Sequence, residues 1–202
     1  MMTPGLMTSV VEPPVPGSLL SLADAKIHLK LLHDAEDSEI LAGIGVAEAY
    51  AESMTGASLR VQTLDGALPG FPAGTEINLP WPPLIEVVSV TYRDPYGASV
   101  VLPASTYVAV KRRGVARIVL VNGQSWPDTD LHPEAVVVRW RCGYRQDVPA
   151  EAAETVNARH AVRLLLGHWY YSREATDERG RVSSGSHNVD ALLGGYQTKG
   201  WL

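Results

Sequence analysis

Apolar positions along the chain fall into three rhythms, and the changes between them mark out the elements. From Ser21 the spacing is helical, with Leu22, Ala25, Leu29 and Leu32 recurring every three or four residues. Ser21 with Asp24 three positions on resembles a capping box, the shorter Asp standing in for Glu. A polar break, His33-Asp34-Ala35-Glu36-Asp37, precedes a second helix with acidic residues in its first turn. Its stripe is Ile40, Ile44, Ala47, Ala51 and Met54, and Gly56 is its expected stop. Gly43 and Gly45 weaken this helix by about 1 kcal/mol each relative to alanine, a cost tolerated where a neighbour packs close.

From residue 59 to 144 the rhythm changes to period two, broken often by Gly and Pro. Runs at 61–63, 77–79, 87–92, 100–102, 107–110, 115–121 and 136–140 read as short strands, enough for a small sandwich or barrel. Asp94-Pro95-Tyr96-Gly97 is a turn, and Pro80, Pro82 and Pro83 make a stiff corner around Trp81, a side chain expected on the β core. Asp147-Val148-Pro149 then opens a long helix to about residue 175. Ala153, Val156, His160, Leu164 and Gly167 share one face of it, widened by Leu165, Leu166 and Trp169. The expected fold class is α+β: a helical body (two N-terminal helices plus a long C-terminal helix) with an inserted small antiparallel β-sandwich or barrel-like domain and an extended C-terminal tail. The divisions are an arm at 1–18, helices at 19–57, β insertion at 58–146, long helix at 147–175 and tail at 176–202.

Composition narrows the function. With 46% hydrophobic and 19% charged residues the balance is that of a globular protein, and no apolar run is long enough to span a membrane. No signal peptide is apparent, and the single cysteine, Cys142, cannot form an internal disulfide, so a reducing cytosolic origin is expected. The net charge of −5 suits a nucleic-acid binder poorly, and Lys111-Arg112-Arg113 reads as a solvated turn before it reads as a DNA contact.

Catalytic chemistry is hard to find. No histidine pair has zinc-helix spacing, and no P-loop, G-x-G-x-x-G or G-x-S-x-G is present. Asp128 and Asp130 lack the remainder of a Ca²⁺ ligand set, and Cys142 has no evident activating base. The expectation is no enzyme, no cofactor and no metal. In contrast, Gly167-His168-Trp169-Tyr170-Tyr171-Ser172-Arg173-Glu174 gathers the residue types enriched at the centres of protein–protein contacts and reads as a docking surface.

The order of elements resembles the head–tail connector (adaptor) family of tailed bacteriophages and gene transfer agents. The stretches that carry the resemblance are Ser21-Leu22-Ala23-Asp24-Ala25-Lys26 through Glu52-Ser53-Met54-Thr55-Gly56, then Leu79-Pro80-Trp81-Pro82-Pro83-Leu84-Ile85 with 87–92 and Asp94, then 167–174 with 189–193. The arm before residue 19 lies outside it.

That resemblance implies a structural virion protein of the neck, assembled in the bacterial cytoplasm. It would form a homo-oligomeric ring, typically a dodecamer, joining the portal protein to the next neck, stopper or tail-terminator protein. Double-stranded DNA would cross its channel without specific binding, and no membrane is involved. Carried onto this sequence, it places Trp169, Tyr170 and Arg173 near subunit or portal contacts. Leu192, Leu193, Tyr196 and Trp201 become anchors of a docking tail, one whose removal after Gly185 would leave the fold intact. Twelve copies would carry a charge of about −60, favouring channel walls that do not retain phosphates. A different class stays open beside it, a β-sandwich carbohydrate-binding module with Trp81, Tyr96 and Trp126 as its stacking surface.

Overall fold

The computed structural model describes residues 6–112, 114–171 and 186–198. The chain divides into two compact units, each made from separated stretches: a β unit from the chain up to Pro13 with 61–143, and a helical unit from 14–60 with the chain after Gly143.

The β unit contains β1 (Met7–Glu12), β2 (Gln62–Leu68), β3 (Glu76–Asn78), β4 (Leu84–Arg93), β5 (Ser99–Val101), β6 (Tyr107–Arg112), β7 (Val115–Leu120) and β8 (Val136–Cys142). They form an antiparallel sheet in the order β1-β2-β8-β4-β5 and a second in the order β3-β7-β6. Alternation along the strands sends one face inward, so Leu64 and Leu68 of β2, Val136, Val138 and Trp140 of β8, and Ala116 and Ile118 of β7 share one core. The sandwich part of the sequence expectation fits. Trp81 is half-buried against this core, at φ 62°, a left-handed conformation rare for a bulky residue. β1 comes from the proline-rich arm, where Met7 pairs with Ala67 and Val10 with Leu64 of β2.

The helical unit contains α1 (Leu22–Leu29), α2 (Asp37–Thr55), α3 (Pro149–Glu154), α4 (Val156–Tyr171) and α5 (Ser186–Leu193). The Ser21 hydroxyl accepts the Asp24 N–H at 3.1 Å, capping α1. Lys30, at φ 58°, ends α1, with the N–H groups of Lys30 and Leu31 returning to the carbonyls of Ile27 and Lys26. Leu32, expected on the inner stripe, therefore lies beyond the helix and is fully exposed at 100%. The core is Ala25 and Leu29 of α1, Ile40, Ile44, Ala47 and Ala51 of α2, Ala158, Ala161, Val162, Leu165 and Leu166 of α4, and Val189 and Leu193 of α5. Gly43 admits Leu166, whose Cδ1 would lie 3.1 Å from a β-carbon placed there.

Three expectations need correction. Among the described residues there is no long C-terminal helix: the segment breaks at Thr155 into the six residues of α3 and the sixteen of α4. The buried Thr155 hydroxyl lies 3.0 Å from the Ala152 carbonyl and 3.2 Å from Gln146 Oε1, while its own carbonyl accepts the Arg159 N–H at 2.8 Å to start a new helix. A side chain that satisfies backbone groups locally competes with the helical ladder, and here it wins.

The break also turns α4 by part of a revolution from the face read in the sequence. Val156 and His160 are exposed, and the buried face is that of Ala158, Ala161, Val162 and Leu165. Nor is the described end of the chain an extended tail. Residues 186–193 are helical, and Val189, Leu193 and Tyr196 complete the helical core because three large apolar groups gain more by burial there than by hydration. The N–H of Thr198 also returns to the Thr55 carbonyl at 3.0 Å.

Candidate docking surface

A buried charge network decides which side of α2 faces out. Glu48 and Glu52, four residues apart, both point inward. Glu48 Oε1 accepts the N–H groups of Leu19 and Leu20 at 2.9 and 3.1 Å, and its Oε2 accepts the N–H of Gly17 at 3.1 Å. Glu52 Oε1 accepts the N–H groups of Leu59 and Arg60, each at 3.0 Å. The Arg60 guanidinium bridges the two, with Nη1 3.1 Å from Glu48 and Nη2 2.6 Å from Glu52. Buried carboxylates of this kind persist only when paired and hydrogen-bonded, and both are.

With its charges spent inside, α2 presents an uncharged outer face. After Glu39 every exposed residue of the helix is Leu, Ala, Val, Tyr, Ser or Met. Leu41, Ala42, Val46, Ala49, Tyr50 and Met54 cover this face, Val46 at 60% exposure. Met54, expected in the inner stripe, belongs to it. Val15 and Pro16, both exposed, continue the surface where Pro16 lies over Gly45.

The aromatic end of α4 is mostly engaged within the helical unit. Trp169 is half-buried and meets Tyr50 edge to face, with centroids 5.8 Å apart. The half-buried Tyr170 donates its hydroxyl to Glu36 Oε2 at 2.7 Å. Tyr171 donates to the Leu29 carbonyl at 3.0 Å, yet most of its ring is exposed. Leu192 is half-buried, Leu193 and Tyr196 are buried, and Arg173 and Trp201 lie outside the described residues. Of the candidates within the described residues, Trp169, Tyr170 and Leu192 are half-buried and Leu193 and Tyr196 buried. The outer face of α2 was missed, although its signal was present: the charges of α2 after Glu39 are Glu48 and Glu52 alone.

Other candidates are occupied or isolated. Trp126 stacks on Phe71 at 4.8 Å and donates to the Gly74 carbonyl, so one ring face is covered, and Tyr96 stands exposed on the turn between β4 and β5. Trp81, Tyr96 and Trp126 therefore do not offer three open rings to a sugar. Asp130 takes a hydrogen bond from Arg93 at 2.8 Å. Cys142 is buried in the β core, its thiol 3.8 Å from the Gln62 carbonyl. Lys111 and Arg112 are exposed at the end of β6, the Lys111 ammonium bonded to the Ile85 carbonyl. Among the described residues no group of three or more His, Cys, Asp or Glu could hold a metal ion, and no helix is long and apolar enough to cross a membrane.

Compared with solved structures, the chain is similar to a chain of the neck of an empty gene transfer agent particle computed with C6 symmetry (TM-score 0.74, 23% identity). It is similar also to one of the virion of a native gene transfer agent particle (0.75, 24%) and to one of the neck of the native particle computed with C12 symmetry (0.74, 23%). Each match covers 97% of both chains. What is shared is the fold, from end to end. No family model matches the chain, and no curated protein matches it in sequence. The likeness runs through both units, so it includes the helices that carry the uncharged face as well as the sandwich.

Proposed function

We propose that this chain is a structural component of the neck of a phage-like particle, a head–tail connector without enzymatic activity. Identical copies form a ring between the portal protein and the next protein toward the tail, around the path of double-stranded DNA. The observation that carries this reading is the correspondence over 97% of both chains with neck and virion chains of gene transfer agent particles. The C6 and C12 symmetries of two of those structures support a ring of identical subunits. A net charge of −5 per copy is in keeping with a conduit that DNA slides through, since phosphates are retained by clustered Lys and Arg.

The portal and the next neck protein as partners, and Trp169, Tyr170, Arg173, Leu192 and Trp201 near their contacts, belong to the same proposal. Leu193 and Tyr196 act in it indirectly, as the core anchors that hold Leu192 in place. The test is electron microscopy of particles made when this gene alone is deleted. DNA-filled or DNA-losing heads beside free tails are expected. Complete tailed particles would overturn the reading.

A further inference from the structure

We infer that the uncharged outer face of α2 is one half of the contact between neighbouring copies, and that the other half is the exposed apolar end of α1. The inference rests on the ring reading above. A ring of identical subunits needs a heterologous interface, in which two different patches of one chain meet on successive copies.

The helical unit carries two such patches. The first is the face of Leu41, Ala42, Val46, Ala49, Tyr50 and Met54. Its composition dictates the chemistry of its occupant, because a charged surface laid against it would lose hydration without gaining a partner. The second draws on Ile27 of α1, Leu32 just beyond its end and Tyr171 at the end of α4, which are 76%, 100% and 68% exposed. The Tyr171 hydroxyl bonded to the Leu29 carbonyl holds that ring at the end of α1.

Ile27 and Val46 both face away from the core that α1 and α2 share. α1 turns Ala25 and Leu29 into the core that α2 enters with Ile40 and Ile44, leaving Ile27 on the outer side of α1. At 3.6 residues per turn, Val46 lies about 200° around α2 from Ile44, away from that core. A copy can therefore offer one patch to each neighbour at once. The charges beside the patches also match. Glu39 stands exposed at the start of the α2 face and Lys30 at the end of α1, and neither forms an ion pair among the described residues. Across a junction of this polarity they would meet as opposite charges at the rim.

Cysteine cross-linking in assembled particles tests this, using the full chain with Leu32→Cys and Val46→Cys singly and together. The native Cys142 is buried and leaves the background low. With a flexible bismaleimide, the double variant is expected to give a ladder of multimers and each single variant only monomer. Images of the same necks, averaged for rotational symmetry, report independently on the ring. A ring without a ladder would overturn the inference and leave the ring reading standing. A dimer from Val46→Cys alone would mean that two α2 faces meet, which also overturns it. Necks with no ring of this chain would remove the ring reading, and the inference with it.

Discussion

Glu48 and Arg60 meet inside the helical unit, Oε2 3.1 Å from Nη1, with the Glu48 side chain wholly inaccessible and that of Arg60 6% exposed. Twelve residues separate them, and between them α2 runs to its end and the chain turns toward the β unit. Glu48 also accepts the N–H groups of Gly17, Leu19 and Leu20, so the pair ties the segment before α1 to that passage. Replacing Arg60 with alanine leaves two buried carboxylates with no counter-charge. The expected cost is about 3–5 kcal/mol, read as a lower midpoint in urea unfolding. An unchanged midpoint would show that the network adds little to stability.

Stopping the chain after Gly185 should unfold much of the helical unit. Val189, Leu193 and Tyr196 are removed from its core, at roughly 1.5–3 kcal/mol for each large buried apolar side chain. That sum approaches the total stability of an ordinary domain. Thermal unfolding and limited proteolysis of the truncated chain should show lost cooperativity and new cleavage in α2 and α4. A truncation that melts like the full chain would mean that α5 is dispensable.

Tyr50 and Trp169 should be energetically coupled. Edge-to-face rings at 5.8 Å and 80° are worth about 0.5–1.5 kcal/mol beyond the area they bury. A double-mutant cycle with Tyr50→Ala and Trp169→Ala measures the term directly. Simple additivity of the two changes would remove it.

Acid should weaken the start of α3. Hydrogen bonds from the Arg145 guanidinium, and then its backbone N–H at 2.7 Å, hold the Glu151 carboxyl below the usual glutamate range, against an opposing effect of desolvation. A lowered folded-state pKa contributes stability above the unfolded value, and that contribution is lost as pH falls through the folded one. Glu151→Gln is therefore expected to cost up to about 1 kcal/mol at neutral pH, as exposed pairs do, and progressively less as the pH falls below the ordinary glutamate range. A difference between the two proteins that stays constant with pH would remove Arg145 as its cause.

Much of the architecture was legible because it is written locally. The Ser21 cap, the Gly56 stop at φ 65° and the change to period two near residue 60 all use short-range chemistry. What escaped depends on distant parts of the chain. Glu48 and Glu52 look like solvent-facing carboxylates until Arg60 is brought to both, the N–H groups of Gly17, Leu19 and Leu20 to Glu48, and those of Leu59 and Arg60 to Glu52. The proline-rich arm shows no partner in sequence, yet Met7 pairs with Ala67. At the helix break, Thr155 meets Gln146, nine residues back along the chain. The candidate surface was hidden for the first of these reasons, since an apolar outer face is visible only once the charges of α2 are known to be inside.

The sheet order carries a consequence for how the chain is made. β8, between β2 and β4 in the five-stranded sheet, is the last of the described strands to leave the ribosome. β1 is the first, and it must wait for a partner more than fifty residues away in sequence. Until residues 136–142 emerge, β2 and β4 each lack the neighbour that joins them, and the growing chain holds strands with Leu, Ile and Val side chains open to wrong pairings. The helices can close only later still, when α4 and α5 are complete. The sheet is therefore completed by its middle strand, and the bundle by α4 and α5, which follow that strand in the chain.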